Sequence, residues 1–231
     1  MRPSDRSQRE LRPFSLYAIA YIDGFNLYHA IDDLGKFDPR RPTVRPNPKP
    51  HLKWLNLWTL CQGLARPGET LVEVNYFSAY AVWLQGAQKR HIEYVKGLEH
   101  VGVNCVMGHF KSKTRTCKSC GAQWVQHQEK ETDVHIAARI VFDACENRFD
   151  RAILITADSD LAPALNIVRG KFPNKQLFVV APPGRHNHAR SLNTNYTLTP
   201  GRFGQNQLPQ TAMDQSGNVI FTRPASYDPP P

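Results

Sequence analysis

Five short apolar runs alternating with segments of helical periodicity constrain this chain more than any other feature. A parallel sheet buried on both faces requires unbroken apolar strands and helices to cover them. The first run, Tyr17-Ala-Ile-Ala-Tyr-Ile22, ends at Asp23-Gly24, as a buried strand entering a turn should. Residues 71–80, 101–107, 151–156 and 176–181 supply the other four. Leu52, Leu55, Trp58, Cys61 and Leu64 recur at steps of three and predict one helix over that span. Residues 85–100 read as helical, and Val134, Ala137, Ala138, Val141 and Cys145 mark a helix from about Thr132 to Asn147. Asp158-Ser-Asp-Leu-Ala-Pro163 opens another, with proline tolerated in its first turn. The expectation is an α/β fold, doubly wound, with a five-stranded parallel sheet flanked by helices.

A length of 231 residues suits one such domain, expected over residues 15–195, with decorations. Residues 1–14 are polar and charged and read as a disordered arm. Asp38 to Pro50 holds five prolines and reads as a loop or insertion. Residues 109–127 carry a basic segment, a Cys-Lys-Ser-Cys-Gly turn and a Trp-containing run, which predict a small β-ribbon insertion. Residues 196–231 form a Pro-rich tail with a possible small hairpin around Asp214-Gln-Ser-Gly-Asn218.

Lysine and arginine outnumber the acidic residues 29 to 20, and a net charge of +9 favours a polyanionic partner. The five cysteines are odd in number and only Cys117 and Cys120 lie close together, which argues against a secreted disulfide framework. No apolar run is long enough for a membrane span, so the expectation is a cytoplasmic protein away from the membrane.

In an open parallel sheet the ligand crevice lies outside the carboxyl ends of the strands. Asp23 and Asp158 each follow an apolar run, Asp160 lies two residues further on, and Asp133 begins a helix, where free N–H groups favour a carboxylate. Singly, each reads as a turn former or helix cap. Jointly they sit on one edge, and clustered carboxylates call for a hard cation, Mg²⁺ or Mn²⁺, of the kind that activates water against a phosphodiester. Asn26, Thr156 and Ser159 then become candidates for orienting the ligands or a phosphate, and Lys130 for pairing with a phosphate or a neighbouring carboxylate.

Three segments also carry a family resemblance: Tyr21-Ile-Asp-Gly-Phe-Asn-Leu-Tyr28, Glu129-Lys-Glu-Thr-Asp133 and Leu154-Ile-Thr-Ala-Asp-Ser-Asp160. They resemble the three acidic blocks of NYN domains, LabA-like members in particular, over about residues 16–195. Ala157 stands where the family usually has glycine. The resemblance implies a PIN-like Rossmannoid fold and a Mg²⁺- or Mn²⁺-dependent ribonuclease with Asp23, Asp133, Asp158 and Asp160 as metal ligands. Some relatives are thought to bind RNA or regulate without efficient cleavage, which is the alternative reading. A haloacid-dehalogenase-like phosphatase would need an aspartate where Phe25 stands.

Cys117-Lys-Ser-Cys120-Gly has the spacing of a zinc knuckle, and His127 with Cys105 or His109 could complete a structural Zn²⁺ site. The alternative is an exposed turn with two reduced thiols. LabA-like sequences are similar in carrying such an insertion before the second acidic block. Lys111, Lys113, Arg115 and Lys118 on the ribbon, with Arg185 and Arg190 after the fifth run, predict a basic track for single-stranded RNA. Trp124 and Phe110 either stack bases or pack the ribbon onto the core. His186 and His188 read as loop surface. A further reading makes the insertions and tail a surface for a protein partner or a homo-oligomer.

Overall fold

The computed structural model describes residues 16–36 and 46–230. The arm expected over residues 1–14, and residues 38–45 of the proline-rich segment, lie outside the described residues. Strand β1 (Leu16–Asp23) is apolar and buried from Ala18 to Ile22 because it serves two cores at once. Ala18, Ala20 and Ile22 point into one, Ile19 and Tyr21 into the other, as the two-residue period of a strand dictates. Its neighbours are β2 (Glu69–Ala79) and β5 (Arg151–Ile155), both parallel to it. Helices α1 (Gly24–Asp32), α2 (Leu57–Gln62) and α3 (Gln85–His100) cover the first face. Helices α4 (Thr132–Cys145) and α5 (Ala162–Lys171) cover the second.

The sheet has seven strands rather than the five expected, in the order β4-β3-β2-β1-β5-β6-β7. One of the two extra strands is the second arm of the expected ribbon, which joins the sheet, and the other is set by tertiary pairing alone. β3 (Asn104–Thr116) pairs with β2 only as far as Gly108, then runs on and folds back as β4 (Gln123–Lys130). His109 to Thr116 pair antiparallel with β4, which makes the ribbon an extension of the sheet edge. At the other edge, β6 (Gln176–Ala181) is joined by β7 (Tyr196–Thr197), two residues of the returning chain. The sheet is therefore mostly parallel, with β4 reversed.

The helix expected across Leu52–Leu64 is broken. Pro50–Lys53 form a 3₁₀ turn, and Asn56 then caps α2 by accepting a hydrogen bond from the Thr59 amide at 3.1 Å. Leu55 instead bridges to Gln207 in the C-terminal segment.

That segment is anchored by widely spaced apolar residues. Phe203, on the short helix α6 (Pro200–Gln205), Leu208, Phe221 and Tyr227 all enter the first core. Thr211–Met213 and Val219–Thr222 form a separate antiparallel hairpin, β8-β9. Fully buried Trp54 sits among the rings of Tyr94, Phe221 and Tyr227 and donates its indole N–H to the Pro209 carbonyl at 2.9 Å. A buried aromatic anchor of this size contributes about 3–5 kcal/mol against truncation.

Candidate metal centre

β1 delivers Asp23 to the carboxyl edge of the sheet, where its carboxylate caps α1. Oδ1 accepts from the Asn26 amide at 2.9 Å and Oδ2 from the Thr156 hydroxyl at 2.8 Å. The side chain is buried, and burial pushes its pKa up to about 7, against the opposing pull of those two hydrogen bonds. Asp133 and Glu129 add like-charge repulsion to the same effect. Gly24 is obligatory here for space: a Cβ would lie 2.4 Å from the Tyr76 ring and 2.7 Å from the Phe77 carbonyl oxygen.

β5 delivers the second group. Beyond it, Asp158 caps a short 3₁₀ turn by accepting from the Asp160 amide at 2.9 Å. Asp133 comes from the first turn of α4, whose entry residue Glu131 is held at φ 77°, a left-handed conformation strained for a side chain with a Cβ. Gly108 allows this tight entry, because a Cβ there would lie 2.8 Å from the Lys130 carbonyl oxygen. α4 is fixed from below by fully buried Asp143. Its carboxylate accepts from Tyr21 Oη at 2.7 Å, from Arg139 Nε at 2.9 Å and from Arg148 Nη1 at 2.7 Å, and both arginines also bind Glu73.

Asp23, Asp133 and Asp158 thus bring one carboxylate oxygen each to within 4.8 Å of one another. Among the described residues, no other group of three or more His, Cys, Asp or Glu converges in this way. The three are buried, exposed and half-buried respectively, so the cluster opens to solvent on one side. Asp160 is exposed and adds charge beside Asp133, whose pKa is raised first by partial desolvation and then by Asp158 and Asp160. An all-oxygen donor set carrying uncompensated negative charge fits a hard divalent cation and not a thiophilic one.

Glu129, quoted within the second acidic block but given no role of its own by the sequence, belongs to this neighbourhood. It is half-buried, accepts from the Thr132 hydroxyl, and is pushed up by burial and by Asp133. Its signal was the spacing Glu129-x-x-x-Asp133 across the strand-to-helix junction.

Other expected residues fall apart. The zinc set of Cys117, Cys120 and His127 with Cys105 or His109 is not gathered. Cys117 follows the end of β3, whereas His127 pairs opposite Ser112, five residues and about 16 Å back along a strand rising roughly 3.3 Å per residue. His127 stacks on Trp83 at 3.6 Å between centroids, His109 faces Glu131, and Cys105 pairs with Tyr76 near the start of β3. Lys111, Lys113 and Arg115 do share one ribbon face with Trp124, and Lys118 lies in the turn. Arg185 and Arg190 lie past β6, on the other side of the acidic cluster from the ribbon. Arg185 is paired with Asp33, and His186 contacts the Thr197 hydroxyl. Lys130 closes β4, opposite His109.

Next to Asp23 the sheet edge opens into an apolar cavity of about 340 Å³, which no local sequence pattern announces. Phe25, Tyr28, Trp83 and Phe110 supply its rings, and Tyr76 with His91 its polar floor.

The chain is 27% identical over 214 residues to the 6-hydroxy-3-succinoylpyridine 3-monooxygenase HspA of Pseudomonas putida. That match covers 81% of this chain and 66% of the relative, just under two thirds of its length. A solved structure from Vibrio parahaemolyticus, described as a protein of unknown function, is similar with a TM-score of 0.48 and 16% identity. It covers 81% of this chain and 94% of that one. The sequence profile of the NYN domain matches residues 18–197, a span that includes Asp23, Asp133 and Asp158, and the chain belongs to the NYN domain family, within the PIN-like nuclease group.

Proposed function

We propose that this protein is a ribonuclease that hydrolyses RNA phosphodiester bonds with Mg²⁺ or Mn²⁺ held by Asp23, Asp133 and Asp158, and with Asp160 at the rim. The observation that carries the reading is the convergence of three carboxylate oxygens at the carboxyl edge of a mostly parallel sheet in an NYN domain. The family and the donor chemistry support a hard divalent ion. Bound there, such an ion supplies Lewis acidity toward a phosphoryl oxygen and toward an attacking water.

The chain's own residues supply the rest. Thr156 and the Asn26 amide hold Asp23 in one orientation. Glu129, outside the converging trio and pushed up by burial and by Asp133, is the group we assign to take a proton from the attacking water. The exposed Ser159 hydroxyl and the Lys130 ammonium are available to phosphate oxygens. The ribbon lysines and Arg115 give a basic face for the incoming single strand. The Cys-x-x-Cys turn before the second acidic block supports placement among LabA-like members.

Labelled single-stranded RNA incubated with Mn²⁺ or Mg²⁺ tests this, beside EDTA and Asp158→Asn controls. Cleavage lost in both controls is the expected result. RNA left intact yet bound would make the protein a binding module.

A second reading is favoured by the cavity beside Asp23. Its aromatic walls suit a planar ring, and the Pseudomonas putida relative is named for hydroxylating a pyridine. Hydroxylation of a hydroxypyridine by O₂ consumes two electrons from an external donor. Substrate-dependent O₂ uptake with a reduced nicotinamide or flavin, and a hydroxylated product by mass spectrometry, would establish that reading in place of the first.

A further inference from the structure

We infer that the aromatic cavity beside Asp23 is a nucleobase pocket, which receives one unpaired base of the strand whose phosphate lies at the acidic centre. The inference rests on RNA being the partner and adds where, and by which groups, a base is held.

Position is the first argument. Gly24 and Phe25, directly after Asp23, form one wall, and Ser78 and Ala79, at the end of β2, form another. The cavity and the carboxylates therefore open on the same sheet edge, separated only by the first turn of α1.

Size and lining are the second. About 340 Å³ lies at the small end of ligand sites, enough for a single planar ring system and too little for a folded peptide element. Phe25 and Trp83 remain 42% and 37% exposed, large apolar rings left in water unless something covers them. Trp83 is also immobilised. His127 stacks on one face at 3.6 Å and 4°, and Phe110 meets it edge-on at 4.7 Å and 82°. A ring already fixed loses little entropy when a base stacks against it.

The third argument is polarity. Among the described residues no carboxylate lines the cavity, so its walls add no repulsion to the phosphates flanking a bound base. At the floor, Tyr76 Oη lies 3.1 Å from His91 Nε2. Burial pulls His91 down to about 4, which keeps it neutral, so the floor adds no charge beside a bound base. At the rim, Lys53 Nζ lies 4.1 Å from the Tyr28 ring centroid and pairs with Asp32.

The test measures anisotropy of a labelled single strand with Ca²⁺ in place of Mn²⁺, so that binding is read without cleavage, using strands with one abasic position moved along the chain. One abasic position should weaken binding to the wild type roughly 5- to 150-fold, the range of one base–aromatic stack. Trp83→Ala should weaken binding of the intact strand by a similar factor while leaving the weakest abasic strand unchanged, and Trp83→Phe should restore most of the loss.

Equal losses on intact and abasic strands would mean structural damage and would overturn the pocket, as would indifference to every abasic position. Saturation by a free hydroxypyridine that does not compete with RNA would assign the cavity to a small molecule instead. Cleavage in Mn²⁺ that ignores abasic positions and Trp83 would keep the nuclease and remove the pocket. Abasic discrimination without cleavage would do the reverse.

Discussion

Thr156 is bound in both directions: its hydroxyl donates to Asp23 Oδ2 at 2.8 Å and accepts from the Asp158 amide at 3.0 Å. One buried side chain thus sets the orientation of a carboxylate on β1 and the path of the chain after β5. Thr156→Val keeps the shape and removes both bonds. Partners that orient metal ligands typically account for 10- to 100-fold in affinity or activity. The variant should lose roughly that factor in Mn²⁺ affinity by titration calorimetry while folding normally. Unchanged affinity would show that Asp23 is held by burial and the Asn26 amide alone.

Asp23 predicts a pH dependence of opposite sign to that of most carboxylates. Its folded-state pKa of about 7 lies above the ordinary 3.8, so the folded protein holds the proton more tightly than the unfolded chain. The stability it contributes without metal is fully present below about pH 4 and is lost as pH rises through 7, by up to ~4 kcal/mol. In EDTA, Asp23→Asn should therefore match the wild type near pH 4 and exceed it at pH 8 in urea denaturation. Mn²⁺ should then restore the wild type and leave the variant unmoved. A difference between the two proteins that stays constant from pH 4 to 8 would place the Asp23 pKa in the ordinary range.

The Cys117 thiol is drawn down to about 6, chiefly by the Ser119 hydroxyl at 3.0 Å and then by the turn's amides, while burial pushes Cys61 up to about 12. At pH 7.5 Cys117 is mostly thiolate and Cys61 is not. Brief iodoacetamide treatment followed by peptide mapping should label Cys117 first and Cys61 last, and Ser119→Ala should slow the former. Comparable labelling of Cys117 and Cys145 would remove the case for an activated thiol.

What the sequence could show follows from how each element is buried. β1 and β5 were legible because burial on both faces demands continuous apolar runs, and the aspartates at their ends were placed by that reading. β3 beyond Gly108 was legible as one arm of a ribbon but not as a continuation of the sheet, since Lys111, Lys113 and Arg115 face solvent and carry no buried-strand signature. β7 is two residues long and exists only by pairing with Val180 and Ala181. Phe203, Phe221 and Tyr227 hid in a Pro- and Gly-rich segment because their anchoring is tertiary, not periodic. The cavity joins residues as distant as Gly24 and Tyr227, which no local window can assemble.

Glu129 separates holding a metal from moving a proton. It lies close enough to raise the pKa of Asp23, yet it is not among the three residues whose oxygens converge. Burial, opposed by the Thr132 hydroxyl and reinforced by Asp133, lifts its own pKa, which improves it as a proton acceptor. Glu129→Gln should lower the single-turnover cleavage rate about 10²- to 10⁴-fold, the usual contribution of a general base, with Mn²⁺ affinity nearly unchanged. Asp133→Asn should lose both. A general base gives the rate a limb that falls as pH drops, because the protonated acid cannot accept a proton, and Glu129→Gln should flatten that limb. Loss of Mn²⁺ affinity in Glu129→Gln as complete as in Asp133→Asn would make Glu129 a ligand and leave proton transfer to Asp160 or to solvent.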